Sequence, residues 1–485
     1  MRSRIVIVCV LTIPAAVALF LVLVRPARRE FQLSPLPAAA GAEGDPQREG
    51  SRWGTQLPAR VAGTEVGTGS GLSDDPEKAV REALARALGD AEQKTADFAV
   101  LYVTSGSDTK RVLGSARRAL GPNTKIFGGN SDARGVMTDK GYVAVSKKGY
   151  EATDGPTGVA LMTVSSNAIT FGVSSANLTV FGSPQEMANA TVLGAIKSAG
   201  RNPEDLPRVI LLCSTIGIEE EVLEGIEQAV GKNVPVLGGT VGGPVMGVLG
   251  ENDVYERGIC LAVLYTDLPL GWTFEAGFDV TEKHAGIATK VEGQAIVEID
   301  HKPALDVYNE WVDGEIGRLR EQGAKPGVIR DLLTLHPLYR RYKSPAGQDY
   351  LLFSHPWPKD DRMQDKSIMT STQINAGEEI CLSSGTWETL LNRVGNLPTN
   401  AKANGRIRVD TRPVLALGFL CGGVLGVIPE TERDKMSFLI NYANGNGPFI
   451  TSFTWGEQGH FPGIGNKHGN LSTSFLVIVP GGTSP

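Results

Sequence analysis

Six residues able to recognise or transform a small molecule crowd the sixteen positions from Trp455 to Asn470: an indole (Trp455), a bare backbone (Gly456), a carboxylate (Glu457), two imidazoles (His460 and His468) and an amide (Asn470). Such an inventory suits both ends of an amino acid, with Glu457 taking the ammonium group and Asn470 hydrogen-bonding the carboxylate. The competing reading is a glycine-rich loop whose polar groups serve only its own backbone. His460 and His468 stand eight apart without a neighbouring cysteine, which matches no standard zinc arrangement, so no metal site is expected. One imidazole suffices to hold haem iron, which keeps a haem-based sensor as an alternative.

Two glycine pairs form a second set. Glycines let backbone N–H groups approach a ligand and can build anion-binding concavities. Gly128-Gly129, followed by Asn130 and Asp132, and Gly238-Gly239, followed by Thr240, are read as turns that could hold a carboxylate or phosphate. Architecture alone would also explain them. They lack the lysine and the spacing of a nucleotide P-loop. The third candidate is Cys421, which closes an apolar run. With His460 or His468 as base it would make a cysteine hydrolase or transferase, although a cysteine ending a buried strand is more often simply small and apolar. No Gly-x-Ser-x-Gly elbow or His-Glu-x-x-His helix occurs. No catalytic residue and no resident cofactor are therefore expected.

These residues must be positioned by a repeated framework. Phe98–Val103 is a strand-length apolar run, followed by a helix marked by Val112, Ala116 and Leu120, and then by Lys125-Ile126-Phe127 leading into Gly128. The succession recurs: Val209–Cys213, a helix marked by Val222, Ile226 and Val230, then Val234–Leu237 leading into Gly238. Val103 to Gly128 spans the same interval as Cys213 to Gly238. Each copy is expected to end in a hairpin, Gly158–Val164 with Ile169–Val173 and Gly258–Leu264 with Trp272–Phe278. A loosened third copy runs from Val414–Cys421 through a helix near Asp434–Tyr442 to Phe449–Trp455, Gly456 and a last strand at Phe475–Val479. The expected fold class is α+β or mixed α/β: duplicated strand-helix-strand-hairpin units forming layered sheets covered by helices. Residues 301–412 are the least legible part, with a helix start at Ala304, Leu305, Tyr308 and Trp311.

Composition bounds the rest. Of 485 residues, 59 are glycine, well above ordinary usage, and the net charge is −6. An acidic body gives no basic footprint for nucleic acid, and five cysteines in so long a chain exclude a disulfide scaffold. Ile5–Val24 is an uncharged apolar run of membrane-spanning length. Residues 1–29 are thus expected to be a transmembrane anchor or signal segment, residues 30–72 a disordered Pro/Gly-rich tether, and the protein single-pass with an extracytoplasmic body.

The body resembles the FIST family (F-box and intracellular signal transduction proteins). The resemblance rests on the strand-turn and Gly-Gly features, on Ala304-Leu305-Asp306-Val307-Tyr308, on Phe419-Leu420-Cys421, and on Trp455-Gly456-Glu457 followed by His468-Gly469-Asn470-Leu471-Ser472. It implies a FIST N-like domain over 73–300 with two internal repeats and a FIST C-like domain over 301–485. It also implies a sensory function: binding of a small ligand, amino acids among the proposed ones, with some members similar to haem-dependent nitric oxide sensors. The sequence departs from the pattern at Gly422-Gly423-Val424, where an arginine is usual, and at Trp455, where a tyrosine is usual. The expected partners are a small-molecule ligand, the membrane through residues 5–24, and an unidentified downstream signalling protein, with no nucleic acid.

Overall fold

The computed structural model describes residues 63–481 apart from 90–95, 133–134, 146–154, 180–181, 244–245 and 361–362. The expected anchor at Ile5–Val24 lies outside these residues, as does the tether up to residue 62. Single-pass membrane localisation is corrected here: among the described residues no helix is long and apolar enough to cross a membrane. The last part of the expected tether is also strand rather than linker, because Thr64–Ser73 pairs residue for residue with Thr157–Ser166.

Three copies of one module follow each other. The first comprises β1 (Thr64–Ser73), α1 (Pro76–Leu88), β2 (Phe98–Thr104), α2 (Thr109–Leu120), β3 (Lys125–Ser131), the hairpin β4 (Gly135–Thr138) and β5 (Gly141–Ala144), and β6 (Thr157–Ser166). The second repeats this order with β7 (Ile169–Asn177), α3 (Pro184–Ser198), β8 (Val209–Ser214), α4 (Glu219–Val230), β9 (Val236–Thr240), the hairpin β10 (Val248–Leu249) and β11 (Val254–Tyr255), and β12 (Gly258–Thr266).

The third module opens with β13 (Leu270–Ala276) and is then interrupted. The insertion holds β14 (Asp279–Glu292), β15 (Ala295–Ile299), β16 (Lys302–Pro303), α5 (Ala304–Trp311), α6 (Glu315–Glu321), α7 (Pro326–Leu335), β17 (Leu338–Lys343), β18 (Asp349–Ser354), β19 (Pro356–Pro358), β20 (Ile368–Thr370) and β21 (Glu379–Ser384), whose strands form an eight-stranded sheet of their own. The module resumes with α8 (Trp387–Asn404), β22 (Leu415–Cys421), α9 (Gly422–Val427), α10 (Asp434–Ala443), β23 (Phe449–Thr454), the hairpin β24 (Glu457–Phe461) and β25 (Gly465–Gly469), and β26 (Ser472–Ile478). The domain boundary expected at residue 300 falls inside this insertion.

Local chemistry sets the helix starts. Asp75 and Asp108 cap α1 and α2 by accepting backbone N–H groups, and Ser183 with Glu186 forms a capping box on α3. In each module the two strands flanking the second helix are parallel: β2 with β3, β8 with β9, and β22 with β23. One face of each sheet joins a single apolar core that includes Tyr102, Leu211 and Phe419. The other face is covered by that module's own helices. The first strand of each module lies so close under its helix that a Cβ on Gly69, Gly172 or Gly271 would collide with the carbonyl of Ala83, Ala195 or Ala401 respectively. The same glycine role in three places marks the modules as copies.

Two expectations need correction. The strands expected to pair as hairpins belong to different sheets: β6 pairs with β1 and β2, whereas β7 pairs with β12. Each of those turns is the boundary between modules. The true hairpins are exchanged: β4–β5 extends β23 of the third sheet, β10–β11 extends β3 of the first, and β24–β25 extends β9 of the second. The glycine pairs, moreover, are not turns. They lie within β3 and β9, where a Cβ on Gly128 or Gly238 would strike the Leu101 or Leu212 carbonyl, and one on Gly239 would strike Thr454.

Gly239→Ala therefore forces two modules apart and is expected to cost about 1–3 kcal/mol. Gly114→Ala, in α2 with only Arg118 nearby at 3.5 Å, is expected to be neutral or to stabilise by roughly 0.5–1 kcal/mol. Urea unfolding midpoints check both, and equal effects would contradict the packing described.

Candidate functional site

The junction between the second and third modules is where the sequence candidates meet. It is built by adding β24 to β9, with Glu457 opposite Gly239 and Gln458 opposite Gly238. Alternation along β24 and β25 then sorts the side chains.

On one side stands a buried polar chain. Helix α4 has no capping side chain at Ile218. Instead Glu219 folds back, its Oε2 accepting the Gly217 and Ile218 amides at 2.7 and 2.8 Å. Its Oε1 accepts the Thr240 hydroxyl at 3.0 Å. The Gln458 amide nitrogen donates to Thr240 Oγ1 at 3.1 Å and to His468 Nδ1 at 3.0 Å. An amide nitrogen only donates, so His468 Nδ1 is the acceptor and the ring proton sits on Nε2. That Nε2 has no hydrogen-bond partner, although the His468 side chain is fully buried, and it faces Glu219 Oε1 across 3.9 Å. Gln458 Oε1 is likewise buried without a partner.

Asn470 lies beside the same ring. A methyl on Gly456 would lie 3.1 Å from His468 Nε2 and 2.9 Å from Asn470 Nδ2, so both nitrogens line that glycine. The Ser371 hydroxyl, from the segment between β20 and β21, donates to Asn470 Oδ1.

Glu457 has a different environment. Its Oε1 accepts from the Thr454 hydroxyl at 2.8 Å and the Gly456 amide at 3.3 Å, and its Oε2 from the Ser472 amide at 3.0 Å. Oε1 thus carries two bonds and Oε2 one, and the protonated form that burial favours is a weak counter-ion for an ammonium group, so its surroundings do not suit the role expected from its position in sequence. Burial pushes its carboxyl up to about 8, against the ordinary 4.5, and the neighbouring Cys421 thiol also bonds to it. Burial likewise raises Cys421 well above the usual thiol range. A thiol held protonated is the reverse of an activated nucleophile. The base near it is Glu457 rather than either histidine.

The remaining candidates are placed as follows. Asp132 follows β3 and reaches the third module: its backbone N–H donates to the Phe453 carbonyl at 2.7 Å, and its Oδ2 accepts the Trp455 indole N–H. Asn130 points back into its own module, donating to Thr109 at 2.8 Å. Gly128 and Gly129 pack against Leu101 and Val241, and Gly238 and Gly239 against Leu212 and Thr454, so protein fills the space beside each. His460 stands apart from the polar chain, bonded to Asn466 at 3.0 Å and edge-on to Trp272, and burial lowers its basicity.

An iron ligand needs a free ring nitrogen with open space before it. His460 is packed on Trp272 and His468 Nε2 faces a carboxylate, so neither fits haem. Among the described residues no group of three or more His, Cys, Asp or Glu could hold a metal. The structure adds Glu219, Gln458 and Ser371, which sequence reasoning missed. Glu219 carried a signal: it continues the stripe of Val222, Leu223, Ile226 and Val230 that faces the core, where a carboxylate needs a reason to be.

The fold and site define a three-module α/β protein with an incompletely satisfied polar junction. Residues 97–302 match the FIST N domain. The match spans under half of the chain and agrees with the resemblance read from the sequence. No curated protein matches the chain. Among solved structures, cyanuric acid hydrolase from A. caulinodans is similar at 10% identity and TM-score 0.29, covering 86% of this chain and 99% of that one. A chorismatase gives 10%, 0.26, 85% and 99%. An FtsZ variant from M. jannaschii gives 21%, 0.15, 21% and 28%. Likenesses at such scores define neither fold nor function.

A carboxyl titrating near 8 when folded and near 4.5 when unfolded binds more protons in the native state between those values, so its contribution to stability is present below pH 4.5 and is lost as pH rises through 8. Glu457→Gln should remove that loss. The melting temperature of the variant is expected to gain on the wild type between pH 5 and 8, and parallel curves would contradict the buried-carboxyl assignment.

Proposed function

We propose that this protein is an amino-acid sensor that binds its ligand at the junction of the second and third modules and passes the signal to a partner without catalysis of its own. The observation that carries this reading is the buried, unpartnered His468 Nε2–H. Buried polar groups are nearly always paired, and an orphan calls for a missing partner.

The arrangement suits a molecule bearing an acceptor and a donor a few ångströms apart. His468 Nε2–H and the Asn470 amide would donate to the ligand carboxylate. Glu219 Oε1, which faces His468 Nε2 at 3.9 Å, would accept from the ammonium group. Charge-assisted bonds of this kind are the strong ones. Asn470 thus keeps the role read from the sequence, whereas Glu219 takes the one first given to Glu457.

Ligand that binds only the folded state raises its stability, by about 2.7 kcal/mol at a hundredfold excess over Kd. Thermal melts of the full chain against the twenty amino acids are therefore expected to show a rise for at least one, lost in both His468→Ala and Asn470→Ala. No rise with any amino acid, or a rise unchanged in both variants, would overturn the assignment.

A further inference from the structure

A cavity of about 220 Å³ flanks the start of α4. Its walls come from two sources. The second module supplies Gly217, Ile218, Glu220 and Glu221, and the insertion supplies Gln294, with its neighbouring glycine, and Gln373. Both charged groups in the lining are carboxylates, and no lysine, arginine or histidine lines it. The Gly217 and Ile218 amides are spent on Glu219 and are not offered to an anion.

The cavity is joined to the ligand junction by one short strap of the insertion. At one end Ser371 bonds to Asn470; at the other, the Gln373 amide donates to Glu220 Oε1 at 3.1 Å. Arg340, with only 6% of its side chain exposed, fixes the strap, donating to the Gln373 carbonyl at 2.7 Å, Glu378 at 3.0 Å and Thr372 at 3.3 Å. Within α4, Glu219, which faces His468, is the immediate neighbour of Glu220, which lines the cavity.

A helix macrodipole favours acids in the first turn, and that alone would explain three consecutive glutamates. It does not explain two carboxamides closing the space opposite them, nor the orphaned, fully buried His468 Nε2 aimed at the first of the three. We infer that the cavity receives the side chain of the bound amino acid and that this side chain is cationic, of the lysine or arginine class. The inference rests on the amino-acid reading of the junction. Glu220 and Glu221 pair with the cationic head, and Gln294 and Gln373 accept its remaining N–H groups through their carbonyl oxygens, while Ile218 borders the aliphatic stem.

Calorimetric titration of the full chain with L-lysine, L-arginine, L-alanine and L-glutamate tests it, together with Glu221→Gln, an isosteric change at an exposed position. Lysine or arginine is expected to bind at least about tenfold more tightly than alanine or glutamate, and Glu221→Gln to weaken that ligand by about tenfold while leaving alanine unchanged. Alanine or glutamate binding as tightly as lysine and arginine would overturn the inference and leave the junction assignment standing. So would a Glu221→Gln chain that keeps full affinity while His468→Ala loses it. Failure of all four compounds and of every other amino acid would remove the junction assignment itself, and this inference with it.

Discussion

Each of the three sheets is completed by strands it does not own. The hairpin of the first module finishes the third sheet, that of the second finishes the first, and that of the third finishes the second. The exchange closes on itself, so no module satisfies its sheet edge until all three are in place. An unpaired edge exposes a row of backbone donors and acceptors, which makes this closure a condition for the fold and not an ornament to it. It also fixes what can meet at the junctions. Gln458 reaches Thr240, and Glu457 stands opposite Gly239, only because β24 has crossed to the neighbouring sheet.

The polar junction follows from that crossing and from the cost of burial. Two carboxylates are taken out of water within one small region and are treated differently. Glu219 receives two backbone amides and a hydroxyl. Glu457 receives a comparable set, yet sits where burial outweighs those bonds and favours the protonated form. Fully satisfied, such networks rigidify a core; partly satisfied, they are expensive. The expense falls on His468 Nε2 and Gln458 Oε1. The two orphans lie beside a carboxylate, and the insertion lies against this region through Ser371 and Gln373.

Much of the framework was legible because buried parallel strands read as continuous apolar runs: Phe98–Val103, Val209–Cys213 and, from its second residue, Val414–Cys421 all lie in central strands. The register was not. Gly129 stands opposite Tyr102 and Gly238 opposite Leu212, two residues before the ends of β2 and β8. The equivalents are thus Gly129 and Gly238, with Ser452 opposite Phe419 in the third copy, and the second copy is one residue shorter. The same slip separates Cys213 from Cys421: one contributes to the shared core and the other to the helix-covered face. Hairpin exchange left no local trace, since the pairing of Val136–Thr138 with Ile450–Ser452 joins segments some three hundred residues apart. Of the site, His468 and Asn470 were visible as polar residues among glycines. Glu219 was hidden in an acidic helix start, and Ser371 in an insertion whose prolines and charges broke every periodicity.

The most direct measurement is the ring-nitrogen spectrum of ¹⁵N-histidine-labelled protein, in which His468 is one of six histidines and is assigned by its loss in His468→Ala. The account predicts an unprotonated Nδ1 and a protonated Nε2, with the Nε2–H resonance moving on addition of the amino acid that binds while the His460 signal stays in place. A proton found on Nδ1, or a ligand that binds without disturbing His468, would contradict it.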